Sequence, residues 1–214
     1  MSKTKSTKDK VSSRRLLDAA ARIFRERGYV SSTMRAIAQE AGIEAGSIYY
    51  HYKSKDALIG AVLDFGLTTL IDAVRKEVSG LPENATPRER IETASKAHVV
   101  AILKYGDYAL AMRRVFGQVP PDIWRRHMKL RQAYGDFWHG LLEDAQRTGA
   151  LRPDVDLTIA RLFLLGGLNW TVEWYKPKKR PLENVTQVFS SLILDGLLVH
   201  PESATPARRI RKAA

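Results

Sequence analysis

The sequence contains no cysteine, which excludes disulfide bonds and thiolate metal sites. It also lacks a long apolar run: the longest candidate, residues 162–170, is far shorter than the roughly 18–20 residues of a membrane-spanning helix. The basic N-terminus is followed by an amphipathic segment instead of the apolar core of a signal peptide. We therefore expect a cytoplasmic protein that does not associate with a membrane.

Catalytic and metal-binding motifs are missing as well. None of the histidines stands at a recognised metal-ligand spacing, and the sequence has neither a Gly-rich phosphate loop nor a nucleophile elbow. His127 and His139 lie about three turns apart on one predicted helix, and we interpret them as satisfied core or surface histidines. We expect no metal, no cofactor and no enzymatic activity; a small helical enzyme is the remote alternative.

The formal net charge of +12 is unevenly spread. Residues 1–55 contain 12 Lys and Arg against five Asp and Glu, a net charge of +7. Such clustering favours a polyanionic partner, although a solvated charged face would explain the charge alone. A protein that coats DNA without sequence preference would carry the same charge and stays an alternative.

Residues 33–58 predict a helix, a tight turn and a second helix. Thr33 is suited to cap the first helix, and Gly42 stands where a left-handed residue is usually required. The second helix, from about Glu44 to Tyr50, starts with small residues that allow its N-terminus to approach another surface closely. Polar rings and basic side chains follow. This composition suits a helix in the DNA major groove, where short side chains meet base edges and longer ones hold phosphates.

This stretch resembles the helix-turn-helix of TetR-type transcriptional regulators. The matching positions are Thr33, Arg35, Ile37, Ala38, 41–43, 46–49, His51, 53–55 and Leu58, and residues 19–29 also fit. The resemblance and the small helix tip imply two sets of DNA contacts. The residues expected at base edges are Ala45, Gly46, Ser47 and Tyr49. Those expected at phosphates are Thr33, Tyr50, His51 and Lys55, and Arg35 belongs to the same DNA-binding set. At Tyr52 the family usually has Phe, so this hydroxyl must reach the surface or find a partner.

The whole chain is expected to be all-α, with about nine helices, because no segment alternates apolar and polar residues with a period of two. We expect four segments: a disordered basic arm (1–10), the helix-turn-helix domain (11–71), a ligand-binding and dimerisation domain (72–200) and a basic disordered tail (201–214). The first helix is predicted from Ser12 or Ser13 to Arg27. A long helix from Ser54 to about Val78 connects the DNA-reading unit to the rest.

The last predicted helix, 182–199, carries an apolar stripe at spacings of three and four residues. The stripe consists of Val185, Val188, Phe189, Leu192, Ile193, Gly196 and Leu197. The preceding helix contains Gly166 and Gly167, and adjacent glycines inside a helix indicate the close approach of another helix or of a ligand. Duplicated by a two-fold axis, these two helices form a four-helix bundle. The TetR-type resemblance implies this homodimer; an ordinary intrachain core is the alternative.

Residues 168–177 look like the corresponding segment of TetR-type regulators that sense acyl-CoA thioesters or related lipid catabolites. The residues expected to hold such a ligand are Trp124, Trp138, Phe163, Gly166, Trp170 and Trp174. The basic residues suited to its phosphates are Arg113, Arg114, Arg125, Arg126, Arg131 and 178–180. We expect a repressor that binds a palindromic DNA operator and leaves it when a small-molecule effector binds, with an acyl-CoA as the leading candidate. The alternative is an uncharged aromatic or drug-like inducer that controls efflux genes.

Overall fold

The computed structural model describes residues 2–197, with side chains from residue 13 onward except those of Ile193 and Leu197. Within this range the chain forms nine α-helices and no strand, which confirms the predicted all-α class. The helices are α1 Ser2–Arg27, α2 Met34–Glu40, α3 Ile48–His51, α4 Lys55–Ser79, α5 Pro87–Lys104, α6 Gly106–Val115, α7 Pro121–Arg147, α8 Leu157–Trp174 and α9 Leu182–Leu197. The predicted basic tail, residues 201–214, lies outside the described residues.

Local capping residues start several of these helices. Thr33, Ser54 and Asp156 each accept hydrogen bonds from backbone N–H groups of the turn that follows. Thr86 and Glu89 form a reciprocal capping box at α5, in which the Glu89 carboxylate accepts from the Thr86 N–H at 2.7 Å. The sequence predicts all of these caps, because each depends only on residues within one turn.

The N-terminus differs from the predicted disordered arm over residues 1–10. Helix α1 begins at Ser2, well before the expected start at Ser12 or Ser13. Neither Gly nor Pro occurs before Gly28, so no residue stops the helix from extending backwards once its amphipathic part is anchored. Gly28 ends α1 with a φ of 74°, as a left-handed helix terminator.

Two apolar cores share helix α4. The first core packs α1, α2 and α3 against the start of α4, and α6 with the start of α7 completes it. The second core packs the end of α4 against α5, α7 and α8, together with Leu194 of α9. A displacement of α4 in one core is therefore transmitted to the other, since side chains in close-packed interiors have few voids to move into.

By length and composition alone, α4 could cross a membrane, since an 18-residue window reaches a mean hydropathy of 1.8. Its apolar side chains are used inside the protein instead. Leu58, Ile59 and Val62 are buried in the first core, and Ile71 and Val74 in the second. No other helix in residues 2–197 passes the same test.

Helix α6 lies against α1 and ties the helix-turn-helix unit to the rest of the chain. Its residues Tyr108, Ala111 and Val115 are buried in the first core. The Tyr108 hydroxyl donates to Asp18 of α1 at 2.7 Å, and burial raises the pKa of Tyr108 so that it stays protonated. The first core therefore extends past the predicted domain boundary at residue 71, because α6, which follows that boundary in the sequence, contributes to it.

Candidate DNA interface and effector cavity

Helices α2 and α3 form the predicted helix-turn-helix. Ile37 and Ile48 are fully buried and hold the two helices against α1 and α4. Between them, Gly42 takes a φ of 67°, the left-handed conformation that the sequence predicts there. The Ile43 N–H then donates to the Ala38 carbonyl at 3.0 Å, which closes the turn. This local geometry fixes the direction in which α3 leaves the turn.

The recognition helix is shorter than the predicted segment from Glu44 to Tyr50. Helix α3 covers Ile48–His51, and residues 44–47 form a turn in which the Ser47 N–H donates to the Glu44 carbonyl at 2.9 Å. Gly46 and Ser47 are weak helix formers, which explains the tighter turn. Nothing lies within 4 Å of a Cβ placed on Gly46, so the tip formed by residues 45–47 is open to solvent.

The predicted DNA-binding residues around this tip are accessible. Tyr49 is 49% exposed and Tyr50 76% exposed, and Thr33, Arg35, Ala45 and Ser47 are exposed as well. The partly buried His51 ring meets the Tyr50 ring edge-on at 5.4 Å between centroids. Tyr52 is partly buried against the first core. The surface thus presents a small tip flanked by phenol and imidazole groups.

Lys55, which is expected at a phosphate, has partners within the chain in this structure. Its ammonium donates to the carbonyls of Tyr29, Val30 and Ser32 at 2.9, 3.4 and 3.0 Å, and it lies 4.3 Å from the centroid of the Tyr29 ring. An ammonium has three N–H donors, so all of them are already used. The structure assigns Lys55 to holding the loop between α1 and α2, and no backbone acceptor of this kind is visible in a sequence.

Gln118, which follows α6, is a contact that sequence reasoning missed. Its side-chain oxygen accepts from the Tyr29 and Val30 N–H groups at 2.8 and 3.4 Å. Its amide nitrogen donates to the Arg114 carbonyl at 2.8 Å. A Cβ on Gly28 would lie 2.7 Å from the same oxygen, so the glycine is needed for this contact as well as for its positive φ. Gln118 therefore joins the end of α6 to the loop that leads into α2.

A cavity of about 110 Å³ lies between α4, α5, α6, α7 and α8. Its apolar wall includes Leu63, Leu67, Leu70, Ile102, Met112 and Leu165. Its polar lining includes His98, His127, Arg131, Tyr134 and Asn169. An apolar cavity with a few convergent polar groups is the usual form of a small-molecule site.

His98 is held neutral at one side of the cavity. Its Nε2 lies 3.3 Å from the Asn169 side-chain oxygen, which can only accept, so Nε2 carries the hydrogen. Its Nδ1 lies 2.9 Å from the Tyr134 hydroxyl and accepts from it. Burial lowers the pKa of His98 to about 4 and raises that of Tyr134. This satisfied network is rigid and uncharged at neutral pH.

His127 and Arg131 lie one turn apart on α7 and also line the cavity. Unlike His98, they do not belong to a satisfied hydrogen-bond network. His127 is 2% exposed, and neither ring nitrogen has a hydrogen-bond partner. The carboxylate of Asp64 is 3.7 Å from Nδ1, too long for a hydrogen bond. Burial first, and then the charge of Arg131, lower the pKa of His127. Arg131 contacts the Met112 sulfur at 3.3 Å, and burial lowers its pKa too.

Two family models match the chain. The model described as bacterial regulatory proteins, tetR family, matches residues 16–62, and the tetracyclin repressor-like C-terminal domain matches residues 84–197. The chain belongs to the TetR family. Members of this family are DNA-binding transcriptional regulators and not enzymes.

Among TetR-family relatives, the repressor KstR2 of Rhodococcus jostii RHA1 is 33% identical over 184 residues, which cover 85% of this chain and 89% of that protein. The fatty acid metabolism regulator protein of Bacillus subtilis is 22% identical over 157 residues, covering 73% and 79%.

Solved structures agree with this assignment. The ketosteroid transcriptional regulator KstR2 of Mycobacterium tuberculosis superposes with a TM-score of 0.74 and 28% identity, covering 87% of this chain and 96% of that one. AibR, in complex with isovaleryl coenzyme A and operator DNA, gives a TM-score of 0.75 over 85% and 97% of the two chains. At 22% identity, AibR shows the fold alone.

The structure does not bring the predicted ligand residues together. Trp138 is fully buried behind the cavity, beside His98, and Trp124 packs between Phe116 and His127 at the start of α7. The other four, Phe163, Gly166, Trp170 and Trp174, lie on the exposed face of α8. Helix α8 has apolar residues on every side, and packing decides that Ala160, Leu164 and Leu168 face inward. The sequence pattern alone could not separate the two faces.

The predicted stripe on α9 is divided in a similar way. Val185 is buried, and Phe189 packs so closely on α8 that a Cβ on Gly167 would lie 2.8 Å from its ring. This contact explains one of the two adjacent glycines. Val188 and Leu192 are 56% and 74% exposed, and Gly196 is exposed. The side chain of Ile193 is outside the described residues.

With the outer residues of α8, the exposed positions of α9 form an apolar face that a single chain leaves uncovered. That face consists of Ile159, Leu162, Phe163, Trp170, Trp174, Val188 and Leu192.

Proposed function

We propose that this TetR-family protein acts in the cytoplasm as a homodimeric repressor, which binds a palindromic operator and leaves it when a small molecule fills the cavity. The observation that carries the proposal is the position of that cavity. Leu63, Gly66 and Leu67 of α4 form part of its wall, and α4 begins directly after the helix-turn-helix. A ligand that shifts α4 therefore shifts α3. Allosteric release needs a ligand that binds the shifted position of α4 more tightly than the original one.

The repressor role is supported by the DNA interface and by the relatives. The exposed tip at residues 45–47 leaves room for base edges, and the R. jostii relative, which spans most of this chain, is named a transcriptional repressor.

The homodimer is supported by the apolar face of α8 and α9. Phe163 and Leu192 are each 74% exposed in the single chain. Contiguous exposed apolar surface of this kind usually marks an interface. A second copy related by a two-fold axis would cover it and place two recognition helices about one turn of DNA apart.

The effector is best described as a largely apolar acid or its CoA thioester, with the thioester as the leading candidate. A cavity of about 110 Å³ is smaller than the roughly 300–1,000 Å³ of typical ligand pockets, so an acyl group fits inside while CoA would lie outside. AibR binds isovaleryl coenzyme A, and the B. subtilis relative is named for fatty acid metabolism.

The test is operator binding at fixed salt, measured by fluorescence anisotropy with a duplex selected from a random DNA pool. An acyl-CoA series, the matching free acids and CoA alone are then added. We expect sequence-specific binding, a loss of at least about 10-fold in affinity with the thioester or the acid, and no effect of CoA. Binding that is independent of sequence would refute the operator. Sequence-specific binding that no acid or thioester weakens would refute this effector class.

A further inference from the structure

The cavity is lined by two basic side chains that have few hydrogen-bond partners within the chain. Both ring nitrogens of His127 are buried and have no hydrogen bond, and the Asp64 carboxylate lies 3.7 Å from Nδ1. Arg131 donates only to the weakly accepting sulfur of Met112 in the part of the chain that the structure describes. Because about nine in ten buried polar groups are hydrogen-bonded, the buried imidazole indicates a group that comes from outside the chain, and the half-buried Arg131 lies one turn from it.

We propose that His127 and Arg131 bind a carboxylate of the effector inside the cavity. A guanidinium presents parallel N–H donors that match the two oxygens of a carboxylate, and the imidazole adds a further donor. Residues four apart on a helix lie on the same face, so both groups of α7 can reach one ligand group. This inference rests on the proposed function and names the chemical class of its effector.

Asp64 of α4 does not take this role in the free protein. It is 39% exposed, and it lies 3.4 Å from Arg126 as well as 3.7 Å from His127. Its charge is therefore shared with Arg126 and with solvent, and Arg131 receives no oxygen from it. Asp64 therefore does not supply the carboxylate that His127 and Arg131 lack.

The same aspartate connects the site to α4. A ligand carboxylate that bonds to His127 comes close to Asp64, and two like charges at this distance repel each other. The ligand therefore prefers a position of α4 in which Asp64 has moved away. Such a preference is what couples occupation of the cavity to the recognition helix.

The rest of the wall limits the size of the acid. The lining residues Leu63, Leu67, Ile102 and Leu165 are apolar, and the cavity of about 110 Å³ is small. A short aliphatic or aromatic chain fits these walls. The carboxylate can belong to a free monocarboxylic acid, or it can be the far end of a dicarboxylic acyl chain whose other end carries CoA.

The experiment uses the full-length protein and straight-chain probes of four to eight carbons. Free monocarboxylic acids, their methyl esters, simple acyl-CoA thioesters and ω-carboxyacyl-CoA thioesters are compared by isothermal titration calorimetry. We expect binding of either the free acids or the ω-carboxyacyl thioesters, which distinguishes the two sources. The methyl esters should bind about 10- to 100-fold more weakly than the acids, because they have lost a charge-assisted pair.

Arg131→Gln should weaken binding of the preferred probe about 10- to 100-fold, and Arg131→Lys should restore part of it. Arg125→Gln is the matched control, since Arg125 is exposed and does not line the cavity; it should bind as the wild type does. Operator affinity without a probe should be the same for all four proteins, which shows that each is folded.

Esters that bind as tightly as acids to the wild type would overturn the proposal, and this comparison needs no variant. Undiminished binding of the acid by Arg131→Gln would overturn it as well. If no carboxylate binds but an uncharged compound releases the operator, the carboxylate site is wrong and the repressor role stands. If operator binding itself is absent, the proposed function fails separately.

Discussion

Acidification is expected to destabilise the protein through His98, and the structure gives the size of the effect. The imidazole is 1% exposed, and burial lowers its pKa to about 4, against about 6.5 in an unfolded chain. Below pH 6.5 the unfolded chain takes up a proton that the folded protein refuses. The contribution is therefore fully present above about pH 6.5 and is lost progressively as the pH falls towards 4.

Between pH 7.5 and pH 5.0, this linkage removes about 2 kcal/mol per chain. That is a large share of the 5–15 kcal/mol that typically separates folded from unfolded protein. Urea unfolding at the two pH values measures it. The indole of Trp138, 6.2 Å from the His98 ring between centroids, lies close enough to report on this region by fluorescence. With a slope near 2 kcal/mol per molar urea, the midpoint falls by about 1 M.

The decisive comparison is between two variants at equal protein concentration. His98→Gln keeps a donor and an acceptor but cannot titrate, so its loss of stability between the two pH values is expected to be about 2 kcal/mol smaller than that of the wild type. His139→Gln makes the same chemical change at a half-buried position of α7 outside the cavity, and it controls for the substitution itself. A pH dependence that survives unchanged in His98→Gln would refute the reasoning.

Three further outcomes follow from the structure. Lys55→Met is expected to lower stability by about 1–3 kcal/mol, since it removes three hydrogen bonds to the α1–α2 loop. The salt dependence of operator binding is expected to keep its slope, whereas loss of a phosphate contact would reduce it by about one unit; the exposed Lys53→Met is the control for stability. Leu192→Asp is expected to give a folded monomer in sedimentation, because Leu192 is 74% exposed in one chain and a charge becomes costly only when a partner buries it; a wild-type monomer that protects a palindromic site would contradict this. Tyr49→Ala is expected to change the order of preference among operator sequences with little effect on thermal unfolding, and an unchanged preference in a selection from random DNA would remove Tyr49 from base readout.

The features that the sequence predicts are those with local causes. The capping box of Thr86 and Glu89 and the left-handed turn at Gly42 depend on a few neighbouring residues, and both occur where the sequence indicates. The helix-turn-helix contains several such local features in succession, namely a capping residue, a left-handed glycine and a second capping residue, so the sequence also predicts it. The start of α1 was less predictable, because a lysine-rich segment without a helix breaker is compatible with both a helix and a disordered arm.

The cavity could not be predicted because its polar groups come together only by packing. The network around His98 joins it to Tyr134 and Asn169, which are 36 and 71 residues away in the sequence. Of the aromatic residues expected in the pocket, Phe163, Trp170 and Trp174 are on the outer face of α8, since a helix with apolar residues on every side gives no sign of which side will be covered. Lys55 is a similar case, because its partners are backbone carbonyls and every residue has one.

The packing of α6 against α1 limits how this DNA reader can be transplanted. Tyr108, Ala111 and Val115 help to fill the first core, and Gln118 holds the loop that precedes α2. A chimaera that joins residues 1–71 to a foreign sensor would leave that core open and the loop untied. A functional chimaera needs to include α6 as far as Gln118, or the foreign sensor domain needs to provide an equivalent helix. Swaps of operator specificity are therefore better made by exchanging residues 44–51 alone.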